Sequence, residues 1–465
     1  MTNNLRNPQL PQNWVRERLD CVAEIVLGQS PPSSTYNKSG KGLPFYQGKL
    51  EFGKIFPTPK QWCSEPKKIA EKGDVLISVR APVGPTNINP EKSCIGRGLA
   101  AVRGLGGIET LFIFYSLRAN ENVLVGKGTG TTFSAISGEQ LRCLEISIPP
   151  LKEQYRLVSK IEKLFSFLDT GTESLRKIQA QLKRYRQAVL KYAFEGKLTE
   201  EWRSNHKGDA VQNRNLLEDK ENESFVVNSS TIQKLPEGWF WTKLAKISES
   251  MKNGIYRPSS FYSDDGFACL RMYNIEKGSI VWKDIKRMKL TEEEIEEYGL
   301  KPGDILVNRV NSRELVGKSA VISQGLEPCV YESKNIRLRL FNQMADSKYV
   351  AFWILYQGQK YFNRNAQQTV GMASINQEQL GSMPIPFCSL SEQHLIVQEI
   401  ERQFSVADAS DNSAFLCLKL TERLRQSVLK KAFEGGIVPQ DPSDEPAEKL
   451  LQRIRNKKAM EIRTH

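Results

Sequence analysis

The chain is poor in the side chains that most enzymes use. It has three histidines in 465 residues, His206, His394 and His465, and none has a cysteine or second histidine at metal-ligand spacing. That argues against a zinc centre. Eight cysteines (Cys21, Cys63, Cys94, Cys143, Cys269, Cys329, Cys388 and Cys417) are scattered with no C-x-x-C pair, which fits reduced core thiols of a cytoplasmic protein. No run of 18 apolar residues exists, so no membrane span is expected, and the opening MTNNLRNPQLPQNW has no apolar signal segment. There is no G-x-S-x-G elbow, no Asn/Asp-Pro-Pro-aromatic signature of an amino-methyltransferase and no helicase motif set. Gly317-Lys318-Ser319 ends like a P-loop, but Ser312 stands where its first glycine belongs. Gly126-Lys-Gly128-Thr-Gly130 lacks the strand-then-helix setting of a phosphate cradle and reads as a loop. Asp74 and Asp304 follow glycines and read as turn formers rather than metal ligands.

What is present is bulk, basic charge and repetition. A length of 465 residues exceeds one ordinary core, and 39% hydrophobic with 9% aromatic residues can fill several. The net charge of +13 points to a polyanionic partner.

The repetition is the strongest signal. Arg186–Leu198 reads RQAVLKYAFEGKL and Arg425–Ile437 reads RQSVLKKAFEGGI. Ile136/Ile375, Leu151/Leu390, Phe165/Phe404 and Phe194/Phe433 keep the same offset (433 − 194 = 239). A stretch of about sixty residues without an insertion is a packed helical register, since loops tolerate insertions. Residues 152–195 as one straight helix would extend about 66 Å at ~1.5 Å per residue. Thr170-Gly-Thr-Glu173 fits a capping box and predicts a break or bend there, and Gly196 stands where a C-cap glycine belongs. Steps of three and four predict a helix–helix seam of Leu175, Ile178, Leu182, Tyr185 and Val189, met by Leu418, Leu424 and Val428.

The remainder divides around these helices. Residues 11–150 form a first globular unit, 151–198 the first helical region, 199–234 a polar linker, 235–389 a second unit, 390–437 the second helical region and 438–465 a tail. The units echo one another in order: Gly73-Asp-Val-Leu and Gly303-Asp-Ile-Leu, LAAVR from Leu99 and IRLRL from Ile336, FIFYSLR and FWILYQG. The expected fold is α+β: two similar α/β domains separated by two long helices that pair as an antiparallel coiled coil, with pseudo-two-fold symmetry.

The units carry loops rich in groups that read DNA. The first offers Arg80, Arg97, Lys127, Thr129, Thr131 and Thr132; the second offers Arg309, Arg313, Arg337, Arg364, Asn365, Gln367 and Gln368. Arginine can hold guanine, and asparagine or glutamine adenine, through paired hydrogen bonds, while lysine and threonine hold phosphates.

Together the segments PPLKEQ with LVSKIEKLFSFLD, RQAVLKYAFEGKLTEEWR, their counterparts SLSEQ with IVQEIERQFSVAD and RQSVLKKAFEGG, LPEGW, and VPQDPSDEPAEKLLQRI make the chain resemble the specificity subunit of Type I restriction–modification systems over nearly its whole length. The resemblance implies two target recognition domains, each reading half of a split double-stranded DNA target, and helices that set the gap. It implies two modification (methyltransferase) subunits and restriction/translocase subunits as partners. S-adenosylmethionine, ATP and Mg would then sit on those partners, with no cofactor, metal or catalytic residue on this chain. The alternative is a free-standing bivalent DNA-binding or architectural protein with no methyltransferase partner.

Overall fold

The computed structural model describes residues 10–128, 135–206, 211, 214–218, 235–276, 278–365, 367–369 and 372–463. It is α+β and divides into two compact units, Met1–Arg176 with Phe415–His465, and Lys177–Ala414.

The globular part of the first unit is two sheets. An antiparallel sheet runs in the order 23–27, 99–104, 75–78, 86–88. A mixed sheet runs 36–37, 61–63, 43–46, 93–95, 69–70, with 43–46 parallel to 93–95. Strands 75–78 and 99–104 are apolar on both faces because both faces are covered. Val75, Ile77, Ala100 and Val102 join the main core, whereas Leu76, Leu99 and Ala101 pack with Tyr46 and Ile95. The segment Phe112–Leu117 is a fully buried helix stretch, so its all-round apolarity is core packing. Val15–Arg18 pairs with Glu145–Ile148 and closes the domain.

The second unit repeats this plan. Its sheets run 248–253, 335–340, 305–308, 319–321 and 262–263, 286–288, 267–270, 329–331, again with one parallel pair, 267–270 beside 329–331. The Gly-Asp turns serve as expected and also anchor a neighbouring strand. Asp74 accepts from the backbone of Glu71 and takes the Arg103 guanidinium at 2.7 and 2.9 Å. Asp304 does the same with Lys301 and Arg339.

Leu151–Phe194 and Leu390–Phe433 are each one helix of 44 residues. The expected break at Thr170–Glu173 is absent. The hydroxyls of Thr170, Thr172 and Ser174 donate to carbonyls four residues back, a bond available only inside a helix, so they satisfy themselves without capping. Each unit holds the first half of one helix and the second half of the other. In the second unit, Gln179 donates to Asp411, Tyr185 to Gln403, and Arg186 pairs with Asp408, an order that makes the two segments antiparallel. In the first unit Arg425 pairs with Asp169 and lies over the Phe165 ring. Both Arg–Asp pairs are the same pair 239 residues apart (425 − 186 and 408 − 169).

The first helix keeps Leu175, Leu182 and Val189 in the seam as predicted, and the positions between them shift by one residue, from Ile178 to Gln179 and from Tyr185 to Arg186. Leu175, Leu182, Leu418 and Val428 are half-buried and Val189 is buried, but Ile178, Tyr185 and Leu424 are 41%, 43% and 42% exposed. Thr172, Gln179 and Arg186 also face inward, with Ala407, Asp411, Ala414, Thr421 and Arg425 on the other helix. Polar seam residues paired across the interface hide the heptad from a reading based on leucine spacing.

Both helices end on a left-handed glycine. Gly196 has φ 68° and Gly435 φ 81°, and the bonds Lys197 N–H to Tyr192 O and Gly436 N–H to Lys431 O close Schellman caps. A proline presses on each: Pro236 on Gly196, Pro11 on Gly435. The weak start PQNW therefore packs as LPEGW does, with Trp14 and Trp239 both buried. Described parts of 199–234 pack on the second unit. Glu200–Asn205 and Arg214–Leu217 are helical, and Leu217 is buried in its core. Arg203, Thr199 and Trp239 all donate to the buried carboxylate of Glu392. In the first unit the tail does comparable work: Asp444 pairs with Arg156, and Ala447, Leu450, Leu451 and Ile454 of the last helix enter the core.

Two substitutions separate these glycines. A methyl at Gly171 meets nothing within 4 Å, so Gly171→Ala should raise stability by about 0.5–1 kcal/mol, the helix-interior difference. At Gly435 the added carbon falls 2.3 Å from Pro11, so Gly435→Ala should cost at least ~1–2 kcal/mol from the left-handed backbone alone. Urea unfolding midpoints of the two variants should move in opposite directions.

Candidate nucleic-acid interface

In the first unit, four loop segments meet where the two sheets leave an edge. Gly28, after the strand 23–27, donates to Leu99 O, Gln29 to Ile95 O, Gly96 to Tyr46 O and Val79 to Gly98 O. Gly28 is required for this close approach: a Cβ there would lie 2.2 Å from Gly96 O. Ser30 Oγ accepts from Arg97 N–H, and Ser78 Oγ donates to Arg80 O. These bonds fix the backbone and leave the long side chains outward. The result is a cleft of about 310 Å³ lined by Ser30, Tyr36, Gln47, Lys49, Ser78, Arg80 and Arg97. Arg80 and Arg97 are exposed. Three cations and an amide around one open cleft suit an anionic polymer that presents hydrogen-bond acceptors.

The second unit builds the same edge. Ile255 N–H donates to Tyr331 O and Glu332 N–H to Leu270 O, as Gln29 and Gly96 do in the first. Ile375 N–H donates to Arg309 O as Ile136 does to Val79 O.

The description Type I restriction modification DNA specificity domain matches residues 11–184 and again 236–407. The chain belongs to the Type I DNA specificity family. It is 26% identical to the type I restriction enzyme EcoDI specificity subunit of Escherichia coli, over 97% of this chain and 96% of that one. It is 25% identical to the EcoKI specificity subunit of Escherichia coli K12, covering 97% of each. A stretch of 193 residues is 38% identical to a Methanocaldococcus jannaschii protein bearing the name of a type I restriction enzyme MjaX specificity subunit, spanning 41% of this chain and 44% of that protein. In fold it matches a chain solved in a study of complex assembly and conformational transition of the type I R-M system, with TM-score 0.68, 18% identity, and coverage of 92% of this chain and 99% of that one. It also matches the HsdS subunit of Thermoanaerobacter tengcongensis, with TM-score 0.51, 18% identity, and coverage of 93% and 99%.

For a Type I specificity chain the DNA-reading candidates sort by position. Arg80 and Arg97 share the first cleft, joined by Gln47, Lys49 and Ser30, which loop composition alone did not single out. Lys127 is exposed elsewhere, at the end of the helix Glu121–Lys127, beside a depression of about 820 Å³ that includes Arg16, Asn120 and Lys430. Thr129, Thr131 and Thr132 lie outside the described residues. In the second unit Arg309 is half-buried, with its guanidinium on the carbonyls of Ser333 and Ile375. Arg313 is exposed in the turn before Val316. Arg364 and Asn365 are exposed at the end of the helix Gln359–Asn365, where the Asn365 amide donates to Tyr361 O. Gln367 and Gln368 lie on a strand paired with Met372–Ser374. Arg337 does not belong to the surface set. It is 5% exposed, and its Nη1 donates to the carbonyls of Glu297 and Gly299, tying a helix end to the sheet beneath.

A short repeat marks the cleft loops in the sequence. Pro32-Ser-Ser-Thr-Tyr36 and Pro258-Ser-Ser-Phe-Tyr262 each form a 3-10 turn entering a two-residue strand.

Arg97→Ala should leave the thermal midpoint unchanged and weaken DNA binding, with the salt dependence of log K shallower by about 0.9 for each phosphate that is no longer neutralised. Arg337→Ala should instead lower stability by about 1–3 kcal/mol, since a buried side chain is lost and two carbonyls at the helix end lose their donor. Thermal melts and salt titrations of DNA binding on both variants check this.

Proposed function

We propose that this chain is the DNA specificity subunit of a Type I restriction–modification complex, in which each recognition domain reads one half of a bipartite duplex target. The observation that carries the reading is that the family description matches the chain twice, over two domains of one topology whose exposed loops differ. Arg80, Arg97, Lys127 and Lys49 on the first domain, and Arg313 and Arg364 on the second, supply phosphate and base contacts. Arg309 shapes its loop. Asn365, and the strand that carries Gln367 and Gln368, belong to the reading surface of the second domain. Phosphate contacts give loose, salt-dependent binding, and base-edge contacts supply discrimination.

The chain does no chemistry of its own. Two methyltransferase subunits, carrying S-adenosylmethionine, dock on it and methylate adenine in each half-site. Restriction/translocase subunits add ATP- and Mg-dependent movement and cleavage, and the assembly works in the cytoplasm. No described helix is long and apolar enough to cross a membrane.

In this reading the paired helices are a ruler, because a rigid helix turns residue count into distance. A four-residue insertion near Gln181 adds about 6 Å at ~1.5 Å per residue. It should lengthen the unread gap by roughly one to two base pairs at ~3.4 Å each. Sequencing of methylated adenines in DNA exposed to the variant complex reads the gap directly. An active variant with unchanged spacing overturns the ruler.

A further inference from the structure

The two reading edges share one backbone and carry different chemistry. Matching the backbone bonds places Val310 where the first domain has Arg80 and Ser333 where it has Arg97. Arg80 and Arg97, two of the three cations of the first cleft, therefore have no cationic counterpart at the matching positions of the second. In their place Arg271 stands where the first domain has Gln47, and Tyr256 where it has Ser30. Tyr256 is 74% exposed and Tyr273, two residues beyond Arg271, is 67% exposed. Each offers an aromatic face and a hydroxyl to a ligand at this edge.

Arg271 is held for use. Its backbone N–H donates to Asn274 Oδ1, and the next N–H, of Met272, donates to Glu332 Oε1 at 2.7 Å. The Arg271 guanidinium lies 5.5 Å from the Tyr273 ring centroid. Its Nη2 reaches the Asp284 carbonyl at 3.4 Å, and its Nε is buried with no hydrogen-bond partner among the described residues. Asp284 itself has φ 51°, so the backbone that presents this carbonyl is strained. No carboxylate forms an ion pair with Arg271 among the described residues, unlike Arg103 and Arg339, whose charge Asp74 and Asp304 consume. A planar guanidinium steadied along an aromatic ring keeps its outer edge free for a planar acceptor pair.

We propose that Arg271, steadied by Tyr273, reads a guanine in the half-site of the second domain, and that this domain discriminates with an arginine–tyrosine pair where the first uses a cationic cleft. The inference rests on the DNA-reading function above. Guanine is the base that offers two acceptors, N7 and O6, on one major-groove edge, which matches the fork of the guanidinium. The Tyr273 ring then packs against the base-pair edge next to it.

The test is sequencing of methylated adenines from the full chain in complex with its methyltransferase subunits. The wild type should give two half-sites, one of them containing a guanine that Arg271→Ala relaxes. Methylation of sites altered at that one position should rise about 10- to 100-fold relative to the parent site, the discrimination a paired arginine–guanine contact supplies. The other half-site and the gap should stay unchanged, which also shows that the variant is folded. Arg271→Lys, which keeps the charge but loses the fork, should relax the same position. An unaltered motif and rate in either variant overturns the proposal. So does uniform loss in both variants with DNA affinity reduced equally for all sequences, since that marks a structural arginine. A wild-type complex that methylates no split motif would instead overturn the function itself.

Discussion

Neither recognition domain closes its core with its own residues. The first needs Leu429, Ala432 and Phe433 from the far end of the second long helix, and the second needs Val189, Leu190, Ala193 and Phe194 from the far end of the first. Phe194 is fully buried among Tyr349, Trp353 and Tyr356, and truncating such a core phenylalanine to alanine costs about 3–5 kcal/mol. Each helix end must therefore arrive at a fixed place and in a fixed rotational phase. One inserted residue turns the apolar face by about 100°. This is the physical reason that the 239-residue register holds without a gap, and that glycine and proline meet at both helix ends.

The same constraint separates frame from reader. Charges in the frame are consumed internally: Arg103 and Arg339 by buried aspartates, Arg186 and Arg425 across the helix seam, Arg203 on Glu392. The loops at the sheet edge have no such duty. Apart from the close approach at Gly28, their backbone is held largely by main-chain hydrogen bonds, so side chains such as those of Arg80 and Gln47 are free to differ. Arg80 against Val310 and Gln47 against Arg271 are differences of this kind, on one shared scaffold.

Much of the frame was legible in the sequence because it repeats. The helices, the Gly-Asp turns, the buried Phe112–Leu117 stretch and the cap glycine all follow from spacing and local chemistry. The seam register was harder, because Gln179, Arg186, Asp411 and Arg425 occupy inward positions that hydropathy assigns to the surface. The continuity of the helix at Gly171 was hidden for a similar reason: threonine hydroxyls can cap a helix or bond back within it, and sequence does not distinguish the two. The reading surface was least legible. Arg337 resembles Arg97 as a loop-flanking arginine, yet lies beneath a helix end, and only the three-dimensional crossing of four loops gathers Gln47 and Lys49 beside Arg80.

The central claim is that one chain carries two independent readers on one repeated frame. The most direct measurement is single-molecule detection of methylated adenine in DNA from cells that express the chain with its methyltransferase partner. The account predicts one split motif, two defined half-sites flanking a gap of fixed length, with a methylated adenine in each. A single contiguous motif, or half-sites separated by variable gaps, would contradict it.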